Sequence, residues 1–258
     1  MRPIVVVARF TFLEGVRARF FLGTFFLSLF LVVLGSFTAS IPYGKTDEVM
    51  ARIGWGAVFL LGFLLSTFYA VQHISKERDQ RVLHLLLSKP IHRTGYALGK
   101  FLGLYALTVC GIFTSGLVLY LALLYFGQEP HTLREWLLPS LSISLKCGVL
   151  LCTALTAVVL FGPFLSLLIA MTVYLAGVGT EDLLRMALRS ESPLLKLIAS
   201  LLRYAVPQFP WVDIEGWVIF KKSFPLELYL HLLGYLGGYL VIFLATYLLA
   251  FSLREIKE

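Results

Sequence analysis

Residues 147–180 read CGVLLCTALTAVVLFGPFLSLLIAMTVYLAGVGT, 34 residues without a formal charge. Drawn as one straight helix, the stretch would be about 51 Å long at roughly 1.5 Å per residue. The hydrocarbon layer of a bilayer is only about 30 Å thick. Gly162-Pro163 stands near the centre of the run. Proline removes a backbone donor and clashes with the preceding turn, so it can end one helix and let another begin. The stretch therefore divides into two expected spans, about 139–160 and 164–179. Lys146 falls near the outer end of the first, where its stem can snorkel toward water.

Working outward, further charge-free runs occur at 20–44, 53–75, 101–128 and 228–253. Each is long enough for a span of about 20 apolar residues. The balance of 59% hydrophobic to 14% charged residues lies far outside that of soluble domains. The reading is an all-α integral membrane protein with six spans, at about 20–40, 53–73, 101–126, 139–160, 164–179 and 228–251. The first run exceeds the roughly 7–15 apolar residues of a cleaved signal sequence, so it reads as an anchor.

Before it, residues 1–19 mix Val5, Val6, Phe12, Leu13 and Val16 with Arg9, Glu14, Arg17 and Arg19, the pattern of an interfacial helix. Residues 180–227 carry charges every few positions and read as outer-side interfacial helices followed by a connector. Within them Thr180 is an expected helix cap ahead of Glu181 and Asp182. The connector holds the stiff aromatic segment Pro207-Gln208-Phe209-Pro210-Trp211. Gly234 and Gly238 form a GxxxG pair in the last span, a pattern that permits close helix contact.

The basic residues cluster beside alternate span ends. Arg2, Arg9, Arg17, Arg19, Lys76, Arg78, Arg81, Lys89, Arg93, Lys100, Arg254 and Lys257 fall on one side, which places both termini in the cytoplasm. This topology also explains the net charge of +7, which points to anionic lipid and not to nucleic acid.

The polar interval 75–100 reads SKERDQRVLHLLLSKPIHRTGYALGK. It suggests a short amphipathic helix, a break at Pro90 and a new helix carrying Gly99 and Lys100. Composition alone makes this an ordinary cytoplasmic loop. Its residues add more. Glu77-Arg78-Asp79, then Leu86-Leu87-Ser88-Lys89-Pro90, then Arg93, Tyr96 and Gly99-Lys100 resemble the signature of the ABC-2 type permeases. These are the membrane subunits of bacterial and archaeal ATP-binding-cassette exporters. Asp79 stands where the family has a second Glu, and Arg81-Val82 replaces its usual Gly-Thr pair.

The resemblance implies an exporter-like topology and a cytoplasmic coupling elbow over 75–100. In it, Glu77, Arg78 and Asp79 would face an ATPase while Leu83, Leu86 and Leu87 turn toward the bundle. Pro90, Arg93, Tyr96, Gly99 and Lys100 complete the set of ATPase-coupling residues. It also implies a separate ABC ATPase subunit in two copies, a second copy of the permease or a homologous partner, and a place in the plasma membrane (the inner membrane of a Gram-negative cell). ATP and Mg would bind on the ATPase alone.

The chain itself carries no GKS/GKT phosphate loop, no HExxH and no GxSxG. The five histidines show no metal-ligand spacing. Polar residues within spans are mostly hydroxyl-bearing, such as Ser66, Thr67, Thr108, Thr114, Ser115, Ser142, Ser144, Thr153 and Thr156. A path lined by them would suit lipid-like or amphipathic cargo better than small ions. A different function fits the same elbow: a membrane scaffold or assembly factor, driven by a partner ATPase, that moves no cargo.

Overall fold

In a computed structural model of the chain, the described residues are 3–39, 46–79, 93–126, 132–189, 196–197, 200, 206–212 and 226–253. Their regular structure is entirely helical. Helix α1 (Pro3–Arg17) and α2 (Arg19–Ala39) meet at Ala18. There the chain bends by 60°, and the Ala18 N–H closes on the Gly15 carbonyl at 3.1 Å. Helix α3 (Thr46–Leu64) runs through a π-turn (Leu65–Tyr69) into α4 (Ala70–Asp79). Helix α5 (Arg93–Phe126), α6 (Leu133–Phe161), α7 (Pro163–Arg189) and α8 (Leu226–Leu253) complete the bundle. Among the described residues, five helical passages are long and apolar enough to cross a bilayer, and the bent pair α1–α2 makes a sixth if it counts as one span. The expected all-α, multi-span membrane protein takes this form, with five or six helical passages.

Local sequence explains the ends. Thr132 caps α6, its backbone N–H and hydroxyl both donating to Glu135 Oε1 at 3.2 and 2.9 Å. Gly162 ends the same helix at φ 94°, a conformation open to glycine but strained for other residues. Pro163 then starts α7, where a missing N–H costs nothing. The π-turn is buttressed by Thr67, whose hydroxyl donates to the Phe63 carbonyl at 2.6 Å.

Hydrophobic transfer does little to join helices already surrounded by lipid tails; close van der Waals contact and small residues do more. Helix α6 is the central element, with an almost continuous buried run from Ser142 to Leu155. At the end that leads to the elbow, Leu61, Leu65, Phe101, Leu104, Leu151, Leu155 and Tyr247 form one cluster. At the opposite end Val32, Met50, Trp55, Leu119 and Ile143 form another. Between them Gly62 lets Cys147 approach; a Cβ there would stand 2.8 Å from Sγ.

Glycine also joins α1 to α5. Gly95, Gly99 and Gly103 recur every fourth residue along one side of α5. A Cβ on Gly99 would lie 2.8 Å from Val7 Cβ and 2.9 Å from the Ile4 carbonyl oxygen. One on Gly103 would lie 2.7 Å from the Ala8 carbonyl oxygen. By contrast, nothing lies within 4 Å of a Cβ on Gly234, Gly237 or Gly238. The expected GxxxG of the last span therefore makes no close contact among the described residues.

Three other details depart from the sequence reading. Helix α7 does not stop and restart at Thr180; it continues to Arg189. The Thr180 hydroxyl bonds back to the Ala176 carbonyl instead of capping a new helix. Lys146 is buried, with 3% of its surface exposed, and does not snorkel. The segment around Gln208 is inserted between helices: Phe209 lies against Gly177 of α7, and the Gln208 N–H donates to Tyr235 of α8 at 3.1 Å.

Candidate functional site

The two ends of the elbow meet at its base. Glu77 lies in the last turns of α4, while Tyr96 and Lys100 lie on one side of α5, four residues apart. Tyr96 donates its hydroxyl to Glu77 Oε2 at 2.8 Å. The Lys100 ammonium pairs with Glu77 Oε1. Lys100 is 2% exposed and the Glu77 side chain 14%, so the pair is withdrawn from water. Both carboxylate oxygens are thus engaged inside the chain, whereas the family resemblance implies a Glu77 that faces an ATPase.

Lys100 has a second partner, His73 Nε2 at 3.1 Å. With Nε2 accepting, the imidazole proton belongs on Nδ1, which faces Glu14 Oε1 of α1 at 4.0 Å. His73 also stacks on Tyr69, with ring centroids 5.7 Å apart. A buried lysine, a histidine, two carboxylates and two tyrosines consequently tie α1, the π-turn, α4 and α5 at one point. Charge-assisted bonds of this kind are short and strong, and removing one member leaves another buried without its counter-charge.

Glu14, His73 and Glu77 each offer a ligand atom within 4.8 Å of the others, a spacing that suits a metal ion. The Lys100 ammonium already lies against two of the three, so a positive charge belonging to the protein sits where a metal would need to go. The arrangement is better suited to holding helices than to binding a cation.

Among the other sequence-derived site residues, Gly99 provides the close approach to α1 described above. Arg93 is exposed at the first position of α5. Arg78 and Asp79 belong to the last turn of α4, and their side chains lie outside the described residues. Leu83, Leu86, Leu87 and Pro90 lie outside the described residues altogether. Sequence reasoning passed over Glu14, Tyr69 and His73. The available signals were the four-residue interval from His73 to Glu77 and the single acid of the N-terminal helix.

The span hydroxyls are largely satisfied within their own helices. Thr108 donates to Leu104, Thr114 to Cys110, Ser142 to Leu138, Thr153 to Leu150 and Thr156 to Cys152. Near the opposite end of the bundle, Trp55 Nε1, Trp136 Nε1 and Ser115 Oγ are buried without a hydrogen-bond partner among the described residues.

A family model described as ABC-2 family transporter protein matches residues 16–180, more than half of the chain and the whole interval that carries the elbow. No curated protein matches the chain. The signature residues, the helical membrane architecture and this match agree, and the chain belongs to the ABC-2 transporter permease family.

Proposed function

We propose that this protein is the permease subunit of an ATP-driven exporter and that it receives the motion of a separate ATPase through the elbow between α4 and α5. Family membership implies work with an ABC ATPase. In this reading two ATPase copies act on two permeases, either identical or homologous. The termini and elbow face the cytoplasm at the plasma membrane, or at the inner membrane of a Gram-negative cell, and α1 lies along the interface.

The observation that carries the coupling reading is the buried closure of Glu77 by Tyr96 and Lys100. A loop pushed at its tip passes force to its two helices only if its base does not open. Here the base is clamped by an ion pair and by a tyrosine hydrogen bond, and Glu14 and His73 extend the clamp to α1. Glu77 then acts as an internal strut, and direct contact with the ATPase falls to Arg78, Asp79 and the elbow beyond.

The cargo we infer is lipid-like or amphipathic. The spans are apolar, and their hydroxyls are turned onto backbone carbonyls instead of lining a strongly polar conduit.

Isolation of the chain from native membranes in mild detergent should recover an ABC ATPase with it. ATPase assays of that complex with candidate lipids and amphiphiles should reveal stimulation by cargo. Recovery without an ATPase under conditions that preserve other membrane complexes would overturn the reading. Unchanged lipid and solute flux together with loss of an assembled third protein would favour a scaffold.

A further inference from the structure

Below the bend at Ala18, α1, α2 and α4 enclose a cleft of about 580 Å³. Phe10, Leu13 and Phe20 give it apolar walls, while Arg17, Arg19 and Lys76 line it with positive charge. All three cations are exposed, and no acid pairs with them among the described residues. The acid in the cleft, Glu14, is turned to His73.

A second cleft, also about 580 Å³, shares Phe20, Gln72 and Lys76 with the first. It lies between the π-turn, α4 and α7, where Phe68, Val71 and Leu167 line it. Ser75 lines it too, and its hydroxyl is buried with no hydrogen-bond partner among the described residues. The two clefts adjoin at Phe20, Gln72 and Lys76, so a cationic cleft and a mostly apolar one lie side by side.

We propose that this double cleft binds one anionic phospholipid of the cytoplasmic leaflet, with its phosphate held by Arg17, Arg19 and Lys76. An acyl chain lies along Phe20, Phe68, Val71 and Leu167. Arginine matches phosphate oxygens through paired N–H groups, and lysine adds a compact charge at the junction of the clefts. A free phosphate would use the cationic end alone and leave the apolar end empty. The lipid headgroup lies beside Glu14 and His73, so occupancy reports to the helices that the buried cluster ties together. The inference rests on the cytoplasmic placement of the elbow; it does not require the ATPase, and binding to the chain alone can be measured.

The full-length chain, purified in neutral detergent, is titrated with phosphatidylglycerol, phosphatidylcholine or inorganic phosphate, and bound lipid is counted by native mass spectrometry. One phosphatidylglycerol should be held about tenfold more tightly than phosphatidylcholine, a preference that weakens with salt. The triple substitution Arg17→Gln, Arg19→Gln, Lys76→Gln should abolish the preference, whereas Arg185→Gln with Arg189→Gln on α7 should preserve it. Lys76→Gln alone should reduce it several-fold, and Phe68→Ala should weaken both lipids alike; these two variants carry the test if the triple variant does not purify as a monodisperse species. Equal affinity for the two lipids overturns the proposal. So does full preference in Lys76→Gln, or displacement of the lipid by millimolar inorganic phosphate, which would mark a site for free phosphate.

Discussion

Glu77 and Lys100 stand 23 residues apart in the chain, on opposite sides of the elbow, and meet as a buried ion pair. Burial makes the two partners unequal: Lys100 is 2% exposed, whereas the Glu77 side chain keeps 14% of its surface. Replacing Glu77 by Ala strands an ammonium away from water, at a cost of roughly 3–5 kcal/mol for a broken buried pair. Lys100→Met should be milder, because Glu77 retains the Tyr96 hydroxyl and some contact with solvent. The double variant should be less destabilised than Glu77→Ala alone. Thermal unfolding of the four proteins in one detergent gives the cycle, and strictly additive losses would deny the pairing.

The glycines of α5 make a second prediction. Gly99→Ala places a methyl 2.8 Å from Val7 Cβ and 2.9 Å from a carbonyl oxygen that cannot rotate away. The expected loss is about 1–3 kcal/mol through overpacking. Gly234→Ala meets nothing within 4 Å among the described residues and should be neutral or stabilising by up to about 1 kcal/mol, as alanine favours helix. Unfolding midpoints of the two variants should move in opposite directions, or only the first should move.

Gly162 is held at φ 94° between α6 and α7. Gly162→Ala should cost about 1–3 kcal/mol in backbone strain. Gly179→Ala, in a helix and with open space around it among the described residues, should not. Similar stabilities for the two variants would mean that the turn relaxes to another conformation.

Reporter fusions address the topology. Fusions after Arg93 and Lys257 should report the cytoplasm, and fusions after Lys45, Glu129 and Ser190 the outside. An external signal at Lys257 would require an odd number of crossings.

The spans were legible because a bilayer imposes a length on apolar sequence, and Gly162-Pro163 marked the one place where a run was too long. Tyr96, Gly99 and Lys100 were legible as a motif, but not as a group closed on Glu77. That closure depends on α4 and α5 lying side by side, which no local period encodes. Glu14 and His73 were hidden for the same reason. Thr180 shows a local ambiguity: a threonine hydroxyl can cap a new helix or bond back to the fourth residue before it. Burial on the continuous α7 selects the second. The glycine pattern misled in one helix and was overlooked in another. Gly234 and Gly238 have the spacing of a contact motif without a neighbour among the described residues, while Gly95, Gly99 and Gly103 have both.

In the proposed mechanism, force from the ATPase reaches the spans because the base of the elbow is closed by Glu77. Its most direct test measures ATPase copurification and permease-dependent ATP hydrolysis side by side, in membranes carrying wild type, Glu77→Ala, Lys100→Met or Val82→Ala. Val82→Ala should behave as wild type, since the chain already departs from the family pattern there. Glu77→Ala and Lys100→Met should insert normally, yet retain less ATPase or hydrolyse ATP at a rate no longer set by the permease. Near-native values for Glu77→Ala in both assays would remove the closed base from the mechanism and reduce the elbow to a basic cytoplasmic loop.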